Sequence, residues 1–246
     1  MEETEQLIRN GWILSSLYLA RVPKKPPSGR NWETFALATL ARAHHTLQTI
    51  LGLERNREPD CAVLARVMFE HVATFAWLMV DPEERYPRLL RSEYNERVKL
   101  MADLKPFGVN GPDENEIKRS LAEMGNTAAP PLSTRTLEAD SYWTRCGADW
   151  NWKLRRIYAD LYRPYSSYVH PTVSGLDCFI TPGNGGGTIG YPRSVEGGCI
   201  PAEAASCFAD ALAIASQHWG APTIRELVYA FTDGIPIPES LLNAQA

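Results

Sequence analysis

The stretch CAVLARVMFEHVATFAWLMV, Cys61–Val80, decides the fold. It is long enough to cross a bilayer, yet Arg66, Glu70 and His71 stand near its middle. Centring charges in lipid costs roughly 2.5–3.5 kcal/mol each on insertion scales. The stretch is therefore predicted to be the central helix of a protein core, with no membrane partner. Apolar residues surround most of its circumference, as expected of a helix packed on several sides. Asp60 is a candidate N-cap for it, and Asp81-Pro82 a stop.

The same periodicity extends outward from this helix. Glu3–Arg21 reads as a helix carrying Leu7, Leu14 and Leu17, with Gly11 as a weak point, and PKKPPSG then breaks the chain. A second helix is predicted from Asn31, its expected cap, to Gly52. Its apolar positions Trp32, Ala36, Leu40, Ala43, Leu47 and Ile50 step by three and four. Past the central helix, Glu83–Lys105 shows the same pattern, and Ile117, Leu121 and Met124 mark a short helix. NTAAPPLSTRT reads as a loop. Later helices are predicted through Trp152, Ile157, Leu161 and Tyr165, over Pro201–Trp219, and over Thr223–Thr232. Between them the Gly/Pro-rich segment near residues 178–199 reads as an ordered loop or small β-hairpin around PGNGGG. The expectation is an all-α, multi-helix up-down bundle forming a single helical domain over residues 1–246.

Composition narrows the function classes. Hydrophobic residues are 44% and charged residues 22% of the 246, the balance of a folded globular protein rather than a disordered one. The formal net charge of -4 gives no long-range attraction for nucleic acid, so any phosphate-bearing partner needs a local basic patch. The five cysteines are odd in number and contain no C-x-x-C pair, which points to a reducing cytoplasmic setting. No H-E-x-x-H or Cys/His cluster occurs, and no metal or cofactor is expected. GNGGG, Gly183–Gly187, lacks the Lys-Ser/Thr end of a phosphate loop and reads as a turn. Of the adjacent His44 and His45, one should face the core edge and the other solvent. His218 beside Trp219 should serve packing.

One polar run stands out: LYRPYSSYVHPTVSGL, Leu161–Leu176. On a helix, Arg163 and His170 would lie two turns apart on one face, with Ser166 or Ser167 between them. Pro164 and Pro171 argue for a kink or a fresh helix start there. An imidazole passes protons near neutral pH and a guanidinium holds a phosphate by paired hydrogen bonds. Arg155 and Arg156 could extend a basic track. In the other reading, His170 simply donates to a carbonyl or carboxylate at a helix end. On the central helix, Arg66 and Glu70 are spaced for an ion pair inside an apolar element. That pair is either a structural clamp or, through Glu70, an orienting group or base for His170.

An Arg-to-His motif of this kind in a compact helical domain resembles the HEPN superfamily. RVMFEHVATFAWLM, followed far downstream by YSSYVHPT, is similar to an uncharacterised bacterial family of unknown function, itself HEPN-like. The resemblance covers mainly Asp60–Val80 and Tyr158–Leu176. It implies a metal-independent endoribonuclease of a toxin or antiviral system, with RNA as partner. It further implies a homodimer whose two motifs form one cleft. Carried over by residue, Arg163 and His170 match the motif, while Pro164 departs from its usual polar residue. Glu70 would join them in catalysis, with Arg66, Ser166, Ser167, Tyr168 and Arg156 contacting substrate. The alternative is a non-catalytic helical protein holding a small ligand, a nucleotide or a protein partner in an aromatic-lined cavity.

Overall fold

The computed structural model describes residues 2–53, 58–108, 114–146, 154–169, 180–183, 186–189 and 200–219. Helix α3, Glu58–Leu78, runs through the middle of an all-α bundle. Met68, Phe69, Val72, Phe75, Trp77 and Leu78 on it are fully buried. It packs against α2 (Asn31–Gly52), α6 (Leu132–Arg145), α8 (Arg163–Val169) and α9 (Ile200–Trp219), as expected of a helix apolar on several sides. Helix α3 is long and apolar enough to cross a membrane, but most of that length is buried within the bundle.

Helix α1, Glu2–Arg21, lies against α2 and α9. Gly11 is a contact point rather than a weak one. A Cβ there would lie 3.0 Å from Leu51 Cδ2 and 3.2 Å from Ala205 Cβ, so the missing side chain lets α1 approach its neighbours closely. Helix α9 answers with a run of buried alanines, including Ala204, Ala205, Ala209 and Ala213.

The helix ends differ in detail from expectation. The N-cap of α2 is Arg30, with no side-chain cap bond, and Glu33 Oε2 instead accepts the Ser28 N–H at 2.9 Å. Asp60 lies inside the first turn of α3. Asp81 caps α4, Pro82–Leu104, by accepting the Glu84 N–H at 3.2 Å, with Pro82 in the first turn. A 3-10 turn follows over Lys105–Phe107, and α5 spans Glu114–Glu123. Helix α6 begins inside the stretch read as a loop. Pro131 sits at its N-cap, where a missing N–H costs nothing. The segment read as a loop or hairpin contains antiparallel strands β1 (Ile180–Gly183) and β2 (Gly186–Ile189), paired Ile180 to Ile189. The helix predicted over Thr223–Thr232 lies outside the described residues.

A buried polar knot joins α1 to α2. Ser15 Oγ lies 2.8 Å from His44 Nε2 and accepts the Gln48 Nε2–H at 3.2 Å, while Tyr18 stacks on His44 at 4.2 Å. His44 is buried and His45 exposed, as their adjacency requires. Burial lowers the pKa of His44 from its ordinary value and His45 adds to this, against an opposing hydrogen bond with Ser15. The lowered pKa favours the neutral imidazole in this knot. The unfolded chain titrates near pH ~6.5 and the folded one lower. Stability should therefore be full above pH ~6.5, fall as pH drops below it, and level off beneath the folded value. His71 and His218 are lowered too, each first by burial, and act in the same direction. Urea unfolding between pH ~7.5 and ~5 should show the stability gap between wild type and His44→Gln narrowing as the pH falls.

Candidate functional site

The candidate site lies where α3, α6 and the helical run leading into α8 meet. That run begins as α7, Leu154–Ile157, and passes through a π-helical turn over Tyr158–Tyr162. It continues as α8 without a break. Arg163 keeps helical angles (φ −66°, ψ −51°), and its N–H donates to the Tyr158 carbonyl five residues back. The expected kink or fresh start at Pro164 is thus replaced by a wider turn. Proline clashes with the carbonyl four residues earlier in an α register, and one extra residue in the turn relieves that crowding. Leu161 and Tyr165 point into the core. Tyr165 Oη donates to Glu203 Oε2 of α9 at 2.6 Å, and the Leu154 N–H donates to Asp140 Oδ1 of α6 at 3.0 Å.

Arg66 connects α3 to the π turn. Its Nη2 donates to Tyr162 Oη at 3.2 Å and lies 3.2 Å from Glu70 Oε1, and its guanidinium carbon stands 4.9 Å from the Tyr162 ring centroid. Tyr158 stacks on Tyr162 at 5.0 Å with 17° between planes, and Phe69 sits 5.8 Å from Tyr162. The result is a cation seated on an aromatic wall. The Arg66–Glu70 pair is not sealed in apolar surroundings as the sequence suggested. The Arg66 side chain is 18% exposed and that of Glu70 40%, because this edge of α3 faces out between α6 and α8. An ion pair so open contributes little to stability. Glu70 is consequently accessible from solvent.

Arg135, on α6, joins this group and was missed in the sequence because its helix was read as a loop. Its Nη1 donates to Thr74 Oγ1 at 2.8 Å and its Nε to the Pro130 carbonyl at 2.9 Å. Burial lowers its pKa, while the nearby Glu70 and Tyr162 raise it, so the guanidinium stays charged at neutral pH. Arg66 thus pairs with the accessible Glu70 carboxylate, and Arg135 is held one turn further along α3 at Thr74. Such a set can hold an oxyanion next to a carboxylate able to accept a proton.

The other candidate residues are more scattered. Arg163 is exposed, one residue beyond the Tyr162 anchor. Ser166 is half-buried and its hydroxyl donates to the Tyr162 carbonyl at 2.7 Å, so its proton is engaged within the helix. Arg156 points outward and pairs with Asp160 at 3.1 Å, with both side chains largely exposed. Ser167 and Tyr168 belong to α8 by their backbone. Their side chains, and the whole of His170, lie outside the described residues. The structure thus gathers Arg66 and Glu70 with Arg135, Tyr158 and Tyr162, and sets Arg163 on the adjoining turn.

Comparison with known families gives one match, to a family of unknown function, DUF5677, over residues 33–187. The matched region runs from Glu33 in the first turn of α2 through α8 and contains every side chain of this polar group. No curated protein matches, and no solved structure matches.

Proposed function

We propose, for a chain that belongs to the DUF5677 family, a HEPN-like, metal-independent endoribonuclease. The observation that carries this reading is the anchoring of Arg66 on Tyr162. It holds a cation from α3 against Tyr162, the residue that immediately precedes Arg163, the first residue of the Arg-to-His motif. In this mechanism the ribose 2′-oxygen attacks the adjacent phosphorus and the bond to the 5′-oxygen of the next nucleotide breaks. The products are a 2′,3′-cyclic phosphate and a free 5′-hydroxyl. His170 moves the proton at the ribose hydroxyl or at the leaving oxygen, and Glu70 is the second group able to take one. Arg163 and Arg66 stabilise the charge that develops on the phosphoryl oxygens. The net charge of -4 leaves this local arginine group as the attraction for RNA.

The test is cleavage of diverse RNAs in EDTA, with the ends identified chemically. Cyclic phosphate ends are expected, and His170→Ala should lower the rate by about 10²–10⁴-fold in a protein whose circular dichroism and melting are unchanged. Intact RNA after incubation with well-folded wild type would remove the nuclease reading.

A second reading rests on the aromatic wall formed by Phe69, Tyr158 and Tyr162 beside Arg66. Flat rings next to a fixed cation suit a small anionic ligand or nucleotide held without turnover. In that case His170→Ala changes ligand affinity or melting temperature, and no product forms with either protein.

A further inference from the structure

The π turn sets two tyrosine rings face to face at the edge of the site. Tyr158 lies 5.0 Å from Tyr162 with 17° between their planes, and the Arg66 guanidinium stands over Tyr162 at 4.9 Å. Guanidinium, ring and ring thus follow one another in contact, and Tyr158 ends the series. Its aromatic neighbours among the described residues are Tyr162 and Phe69, the latter fully buried and tilted 48° at 6.2 Å. Tyr158 is nevertheless only half-buried, so the surface that solvent reaches lies away from both. Leaving a large ring partly in water at the end of a stack forgoes apolar burial, and packing alone does not account for it. Arg155 is exposed and precedes Tyr158 by three residues, the spacing that makes two side chains neighbours on one side of a helix. Arg156, by contrast, is engaged with Asp160.

We propose that the free side of Tyr158 stacks an unpaired nucleobase, with Arg155 holding the phosphate next to it. The base adds one more flat member to the series that Arg66 and Tyr162 begin. Stacking reads the face of a base, which all bases share, so binding follows with little sequence preference. It also requires that face to be free. In a duplex both faces of each base are covered by its neighbours, and a protein meets only edges and backbone. The ligand class is therefore a single strand or a single nucleotide, and duplex is excluded. The assignment rests on the reading of this site as a holder of nucleotide phosphate and adds which group is recognised there; cleavage is not required for it.

Fluorescence anisotropy with a labelled 2′-O-methyl oligoadenylate of about 12 nucleotides tests it. A methylated 2′-oxygen cannot attack phosphorus, so binding is read apart from cleavage. The full chain should bind the single strand at least about tenfold more tightly than the same strand annealed to its complement. Tyr158→Leu should weaken single-strand binding about 10–100-fold with circular dichroism unchanged, and Tyr158→Phe, which keeps the ring, about threefold at most. Arg155→Glu, at an exposed position where folding is not at stake, should weaken it about tenfold and flatten its salt dependence. Adenosine monophosphate as competitor identifies the source of the base: displacement by it assigns a free nucleotide, and displacement by strands alone assigns an RNA chain. Equal affinity for strand and duplex overturns the proposal, as does wild-type affinity in Tyr158→Leu or Arg155→Glu, or no binding of either probe. Binding as expected, with an unmodified strand left intact, removes the nuclease reading alone. Cleavage whose KM is untouched by Tyr158→Leu removes the stacked base alone.

Discussion

Replacing Trp77 by alanine is expected to lower the free energy of unfolding by about 3–5 kcal/mol, a large part of the ~5–15 kcal/mol typical of a folded domain. Trp77 is the largest fully buried side chain among the described residues, near the end of α3. Its indole N–H donates to Glu138 Oε2 of α6 at 2.6 Å. Its ring carries the Arg85 guanidinium 4.7 Å from its centroid and that of Arg88 at 5.3 Å, both from α4. Arg85 is further held by the Trp77 carbonyl at 2.7 Å and by Glu138 at 3.4 Å. Burial lowers the pKa of Arg85, and Glu138 and then Glu84 offset this. One ring thus ties α3, α4 and α6 together. Its removal leaves a cavity and frees two guanidinium groups whose stems packed on it. Trp77→Phe separates the terms. It keeps most of the volume and loses only the N–H bond, and should cost about 1–2 kcal/mol, since Glu138 can turn to water. In urea, both variants should shift the midpoint with an unchanged slope. A Trp77→Ala cost below that of Trp77→Phe would show that the ring does not join the three helices.

The central helix was legible because periodicity and charge agree on it. Apolar residues surround Cys61–Leu78 except along the edge holding Arg66 and Glu70, and that edge is the one that faces out. The same reasoning failed at α6. There Pro130-Pro131 and a Ser/Thr-rich run suggested a loop, although proline is equally at home at a helix start. The overlooked signal was Leu132, Thr136, Ala139 and Trp143, which recur at helical spacing immediately after Pro131. With α6 went Arg135 and Glu138, two residues that organise the polar side of α3. The π turn has no such pattern. Pro164 correctly announces an irregularity, but whether a helix kinks, stops or widens is decided by the packing of Leu161 and Tyr165, which are both buried only if the run continues. Adjacency requires one of His44 and His45 to face the core edge, and it is His44, while His218 serves packing as its place beside Trp219 suggests. His218 meets Trp32 at 5.3 Å and Trp219 at 5.5 Å.

Arg66→Met should separate a reactive role for this site from a structural one. The side chain keeps much of its length, so contact with the Tyr162 ring is largely preserved while the charge and its hydrogen bonds are removed. The stability cost should be small, about 1 kcal/mol or less, because the partner Glu70 is 40% exposed and can be solvated. Arg66 Nε, moreover, is buried without a hydrogen-bond partner among the described residues, so methionine also removes an unsatisfied donor. If Arg66 stabilises charge on a phosphoryl group in the transition state, cleavage should fall by about 10²–10³-fold, chiefly in kcat. Arg66→Lys should recover only part of this, since an ammonium retains charge but not the planar fork of donors. A structural clamp gives the opposite pattern, with a lower melting temperature and unchanged cleavage by the protein that remains folded. Glu70→Gln completes the comparison. It frees Arg66 from its ion pair but leaves the anchor on Tyr162, so loss of rate in Glu70→Gln identifies the carboxylate itself as the group that takes the proton.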